Sequence, residues 1–523
     1  MNLEMPRGTP LVPGITALIV GFVAISAAAI MCVLPTSAQL MLLAAVSLSV
    51  LAWPVRSWWR SPSPLLAVRD ANAGTTTIDA GAFRLARWLT YVGLATLGLM
   101  MLRPTVGVSV SEWFFRAALV AVFLTALILV RDIDVRLPAA IIWGAGLFFI
   151  GGLFSLQNSP DVGGSMYTLI RFVYWTVGWF LLAGLSLRTE GQVKLATQFW
   201  VISVALSGAA AVAQVLWGPT VIPGAAAGFG GRLTGLAPDV NAFGGMCAVA
   251  LVPALSLIDM PEEGLGKRLC HALALALVCA GLVLSGSVGA LVAAIVAVAV
   301  WILLGGLGRR SFATISVVAA GGLLVSGQAA ALGLSLSIDR MGSIFAASDP
   351  GATFYTRVDG FAMAWQQITT SPIIGAGFDP ADSLQFPGSA VHNILIGTWF
   401  QGGLVALVGL VLLGGGVFSL ARRAWSLSST AKMQRLSVAL FAALAGAVAY
   451  TMSSPALFEH YVWVPVFLTV ALVNVQRRRQ NGAQPGVRMA GLTGAPPTRT
   501  SVGRMAPSSD DPAVIGHVRG NPT

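Results

Sequence analysis

Unbroken apolar runs of about twenty residues recur along the chain, from Leu11 to Gln476. Nothing else in the sequence limits the fold so tightly. A run of that length, coiled as an α-helix, matches the hydrocarbon thickness of a bilayer. The runs are continuous and do not alternate with polar residues, so an outer-membrane barrel is excluded. Charged residues make up only 10% of the chain, against about 25% in soluble domains. The chain therefore reads as an all-α polytopic membrane helix bundle.

About fourteen spans are expected, at 11–34, 37–53, 88–102, 112–130, 138–156, 164–186, 195–217, 241–259, 269–286, 288–305, 312–334, 391–418, 436–455 and 460–476. The run at 11–34 is too long, and too weakly preceded by positive charge, for a cleaved signal, so it counts as the first span. Three parts follow: N-terminal transmembrane helices (1–194), a second transmembrane domain (195–476) with a long outer loop (335–390), and a disordered basic cytoplasmic tail (477–523). The tail is rich in Gly, Pro, Ser, Thr and Arg and has no apolar period. Four cysteines (Cys32, Cys247, Cys270 and Cys279) all lie in or beside apolar segments, so no disulfide framework is expected, and no Cys/His cluster suggests a metal.

The net charge of +11 would point to nucleic acid in a soluble protein, but here topology explains it. Lys and Arg concentrate in alternate connections: Arg56 to Arg87, Arg131 and Arg136, Arg188 and Lys194, Lys267 and Arg268, Arg309 and Arg310, Arg422 to Arg435, and Arg477 to Arg479. The positive-inside rule makes these cytoplasmic, with both termini on the same side. Seven Arg against two Asp in the tail suit an anionic inner leaflet, and no nucleic-acid partner is expected. Arg232, Arg340 and Arg357 break the rule by falling in outer loops, and Arg116 and Arg171 lie inside spans. A cation at such a place is costly and faces a cavity or an anionic group.

Two outer segments concentrate polar residues. In the first, Phe354, Val358, Phe361, Ala362, Trp365 and Ile368 fall on one helical face, which predicts an amphipathic helix on the outer membrane surface. Arg357 lies off that face, either reaching lipid phosphate from a merely packed helix or facing a ligand. Ser371 and Pro372 stop the helix, and Gly375 and Gly377 permit a tight turn. His392 follows at the start of the next span, where an imidazole titrating near neutral pH suits a general base. Asn393 either caps that helix or orients the imidazole. In the second segment, Arg232 is flanked by glycines, and Asp239 and Asn241 are good N-caps for the span at 241–259. Arg side chains match phosphate oxygens, so a basic outer pocket suits a lipid-borne diphosphate, with His392 able to deprotonate an attacking hydroxyl. No cation-binding or zinc motif appears, which favours metal-independent chemistry without a cofactor.

Four elements carry a family resemblance: GRLTGLAPDVNAFGG (Arg232, Gly235, Asn241), LVLSGSVGALVA (Ser287, Val288, Gly289), TRVDGFAMAWQQITTSPIIGAGF (Arg357, Trp365, Pro372, Gly375, Gly377) and AVHNILIGTWFQGG (His392, Asn393). Over residues 195–420 the chain resembles the O-antigen ligase and polysaccharide polymerase superfamily of integral membrane glycosyltransferases. It departs from the family pattern at Val240, where Pro is usual, and at Val288, where the hairpin carries Arg. The resemblance implies an inverting transfer of a glycan from a polyprenyl-diphosphate carrier to a glycan or glycolipid hydroxyl on the outer face of a bacterial inner membrane. It further implies that His392 is the base and that Arg357 and Arg232 hold the diphosphate. Arg171 and Arg340 are candidates to replace the missing hairpin Arg. Membrane lipids and polysaccharide export machinery are the further partners expected. A transporter or flippase of lipid-linked glycans would carry ionisable groups near the bilayer middle, whereas few acids lie within these spans. A non-catalytic scaffold of an envelope polysaccharide complex would use the basic tail.

Overall fold

A computed structural model describes residues 77–101, 109–129, 135, 137–218, 231–260, 264–305, 353–378 and 391–482. The expected spans at 11–34, 37–53 and 312–334, and Arg340, lie outside the described residues, as does most of the tail. Among the described residues the structure is helical and has no strand. The described helices up to Arg478 belong to one compact unit.

The helices are α1 (Thr77–Ala95), α2 (Val110–Leu129), α3 (Ala139–Ser155), α4 (Val162–Val173), α5 (Trp179–Ser186), α6 (Glu190–Trp217), α7 (Val240–Ile258), α8 (Leu265–Leu284), α9 (Val288–Leu303), α10 (Thr353–Thr370), α11 (Ile394–Ser426), α12 (Ala431–Thr451) and α13 (His460–Gly482). A π-helical turn at Tyr174–Gly178 joins α4 to α5. Among the described residues seven helices are long and apolar enough to cross a membrane, counting α4 to α5 as one, and α9 is a shorter apolar helix. The number is smaller than the fourteen expected. Three expected spans are outside the described residues, and α1 and α13 carry charges that dilute their apolar runs.

The central post is α7, buried almost along its whole length, with α6, α8, α9 and α12 packed around it. A second close pairing joins α3 to α11. Gly144 and Gly151 on α3, and Gly409 and Gly416 on α11, each leave no room for a Cβ against the other helix's backbone. Seven-residue spacing puts each pair on one face, so the two backbones approach directly, as small residues allow between helices in lipid. An aromatic cluster fills the region between α3, α4 and α13: Phe148 stacks on Phe172 at 4.0 Å, and Phe378 and Phe458 join them.

Candidate functional site

Arg232 is not an open ligand arm. It is only 8% exposed. Its Nε donates to the Ser285 carbonyl at 2.9 Å, and one terminal nitrogen donates to the Asn241 side-chain oxygen at 2.9 Å. That same oxygen accepts the Ser287 hydroxyl at 3.2 Å. The first two motif elements are thus tied together side chain by side chain. Local sequence explains the shapes. Gly235 and Gly286 adopt left-handed backbone (φ 56° and 59°), which turns the chain into α7 and between α8 and α9. Asp239 caps α7 by accepting from the Asn241 and Ala242 amides at 2.8 and 2.9 Å. Asn241, also expected to cap, lies inside the first turn and turns its amide to Arg232 instead.

A third strand of contacts arrives from the end of α12. The Tyr450 hydroxyl donates to the Asn241 carbonyl at 2.7 Å, and Gly289 sits against the Ser453 side chain with no space for a Cβ. The Asn393 amide nitrogen donates to the Met452 carbonyl at 3.3 Å. Asn393 also caps α11, its oxygen accepting from the Leu395 and Ile396 amides at 3.0 and 3.1 Å. Of the two roles left open for Asn393, helix capping is formed. His392 precedes this cap and is half-buried. The residues 450–453 are therefore the hub that Asn241, Gly289 of the hairpin and Asn393 all reach, with Arg232 joined to it through Asn241. Sequence reasoning missed it. The signal was the polar run Met452-Ser453-Ser454-Pro455 ending an apolar helix, followed by Glu459 and His460. His460 is buried and stacks on Trp175, ring centres 5.6 Å apart.

The Pro372–Gly377 element does more than turn. Gly403, inside α11, has φ 73° and ψ −178°, which breaks the helix. The break frees backbone groups that lipid cannot satisfy. The loop after α10 satisfies them: the Ala376 and Gly377 amides donate to the Phe400 and Gln401 carbonyls, both at 2.9 Å, and the Leu404 amide donates to the Pro372 carbonyl at 3.0 Å. Trp399 Nε1 also donates to Pro372 at 2.9 Å, and the Asn158 amide donates to the Gly375 carbonyl at 3.2 Å. A Cβ on Gly375 would meet the Gln401 carbonyl, and one on Gly403 the Ile373 carbonyl.

Helix α10 forms as expected, but its buried stripe is Gly360, Ala364 and Ile368 with Phe361 half-buried. Val358, Ala362 and Trp365, expected on the apolar contact face, are exposed, Trp365 meeting Trp399 edge-on at 5.7 Å. Arg357 lies near the start of α10 and is half-buried. Arg171, near the end of α4, has an anionic partner: its guanidinium is 3.5 Å from Glu112, a carboxylate 2% exposed on α2. Glu112 also accepts the Ser109 amide at 3.0 Å, and Arg116 lies over the Tyr174 ring at 5.7 Å. The cations placed inside spans thus face an acid and an aromatic ring, beside the π-helical turn.

No curated protein matches the chain. Residues 273–411 match the family model described as O-antigen ligase, a stretch that takes in the Ser285–Gly289 hairpin, Arg357, the Pro372–Gly377 loop, His392 and the break in α11; on this match the chain carries a domain of the O-antigen ligase superfamily.

Proposed function

We propose that the protein transfers a glycan from a polyprenyl-diphosphate carrier to a hydroxyl of a glycan or glycolipid acceptor, as an inverting, metal-independent glycosyltransferase of the ligase or polymerase type. The observation that carries this reading is the convergence of Asn393, Asn241 and the hairpin on residues 450–453, with His392 directly before Asn393, within and beside the O-antigen ligase match. In the proposed step His392 takes the proton of the acceptor hydroxyl. The acceptor oxygen then bonds to the anomeric carbon from the face opposite the carrier. The bond from that carbon to the diphosphate oxygen breaks, and its electron pair leaves with the diphosphate.

Arg357, with Arg340, is assigned to the departing diphosphate. Arg232 is assigned to holding the hairpin against Asn241, since it donates to Ser285 and Asn241. Arg171 is assigned a structural part through Glu112. The proposed setting is a bacterial inner membrane, both termini cytoplasmic and the site facing the periplasm or exterior, with export machinery taking the product onward.

The test is surface glycan and lipid-linked intermediates in a deletion strain complemented at matched protein level. Loss of product with both the deletion and His392→Ala, and carrier-linked glycan accumulating on the outer leaflet, supports the reading. Wild-type product from His392→Ala refutes the assigned base. Carrier-linked glycan stranded on the cytoplasmic side would make the protein a flippase.

A further inference from the structure

Between α11, α12 and α13 runs an apolar groove enclosing about 360 Å³, a volume within the range of small-ligand sites. We infer that it seats the isoprenoid tail of the carrier lipid, an assignment that rests on the proposed glycosyl transfer. The chemistry of the lining requires a hydrocarbon occupant. Thr451 and Trp463 bring the polar atoms among its side chains, and both are already bonded internally. The Thr451 hydroxyl donates to the Val448 carbonyl at 2.8 Å, and the Trp463 ring nitrogen donates to the Leu457 carbonyl at 2.7 Å. A polar ligand would find no partner along this surface and would lose its hydration there.

The position of the groove selects among hydrocarbons. One end is formed by Ile394, Thr451 and Leu457. Ile394 directly follows Asn393, and Thr451 directly precedes Met452, the two residues whose contact brings α11 to the end of α12. The groove therefore opens beside His392 and the 450–453 hub. From Thr451 it follows α12 inward to Phe441, about 15 Å of helix. There Phe441 meets Phe418 edge-on at 4.9 Å, within the lining. Small residues keep it open: Gly414 has open space where a Cβ would stand, and Ala421 and Ala445 line the opposing walls. A tail whose diphosphate lies at the hub would enter at the Ile394 end and lie along this trough. A bulk phospholipid has no reason to begin there.

The test uses the full chain in nanodiscs and a polyprenyl diphosphate carrying a diazirine in an isoprene unit near the diphosphate, with labelled residues mapped by mass spectrometry. The expected labels fall on Leu410, Val448 and Thr451, are displaced by unlabelled polyprenyl diphosphate, and resist excess phosphatidylethanolamine. Gly414→Trp, which fills the trough without meeting backbone, should lower groove labelling at least tenfold. Ala445→Trp, from the facing helix, should do the same, with unchanged melting as the folding control. Labels on other helix faces, labels equally displaced by phospholipid, or labelling unmoved in both folded variants would overturn the inference. Glycan transfer is measured in the same nanodiscs. If the wild type transfers glycan but labels elsewhere, the groove assignment alone falls. If groove labelling is specific while the wild type transfers nothing, the catalytic reading alone falls.

Discussion

The two halves of the candidate site are held by different chemistry. Around Arg232 the contacts are side-chain bonds: guanidinium to Ser285 and Asn241, Ser287 to Asn241, Tyr450 to the Asn241 carbonyl. Around Gly403 the contacts are mainly backbone to backbone, between the 372–377 loop and the opened turn of α11, with the Trp399 ring nitrogen adding one bond to Pro372. The first half depends on which side chains are present. The second depends on which are missing, because Gly375 and Gly403 must stay bare. His392 and Asn393 stand between the two, at the head of α11 and against Met452. A substitution should therefore reveal which half it belongs to by the kind of change that rescues it.

The largest expected effect belongs to neither half. His392→Ala should reduce glycan transfer by about a hundredfold to ten-thousandfold, with melting temperature unchanged. Transfer at the wild-type rate would leave His392 a structural residue. Next, Gly375→Val should destabilise by about 3 kcal/mol through a clash with the Gln401 carbonyl, read as a lowered melting temperature in detergent. A variant melting like the wild type would show that the loop does not need its close approach to α11.

Arg232→Ala leaves a buried carbonyl and a buried amide oxygen short of a donor, at a cost of about 2 kcal/mol. Arg232→Lys should not restore it, since an ammonium cannot reproduce the two-directional fork. Full rescue by Lys would mean that charge alone matters there, and would return Arg232 to the diphosphate. The smallest effect is Tyr450→Phe, which removes the bond to the Asn241 carbonyl and the acceptor of the buried Tyr461 hydroxyl, together about 1.5 kcal/mol. A double-mutant cycle with Tyr461→Phe tests whether the Tyr450 and Tyr461 hydroxyls act as one unit; strict additivity would separate them.

Much of this architecture was legible in the amino-acid order, and the failures have physical causes. The apolar runs announce membrane helices because length and composition are local properties. Pro372, Gly375 and Gly377 announce a turn for the same reason. Their partner was hidden, because the break at Gly403 is a tertiary agreement between segments far apart in the chain. The apolar residues of α10 divide between two surroundings, and because lipid and protein interior are both apolar, periodicity cannot tell Ile368, which packs inward, from Trp365, which does not. Arg232 was visible as an oddity, but its burial depends on Asn241 and Ser285 folding over it. Arg171 was legible as a cation in need of a cavity or an anionic group, but its partner Glu112 lies 59 residues away and was not. Tyr450 and Ser453 were passed over because a Tyr ending an apolar helix is ordinary without the Asn241 carbonyl beside it.

The shared bonds across Gly403 also set the size of the piece that can be transplanted between proteins. Exchanging the connection after α10 alone would import amides with no matching carbonyls and strand those of Phe400 and Gln401. The smallest graft that carries its own complement runs from Thr353 through Leu404, helix, loop and opened turn together. Any chimaera meant to swap acceptor preference would have its junctions outside that block, one before α10 and the other in the continuous stretch of α11 where Gly409 and Gly416 lie against α3.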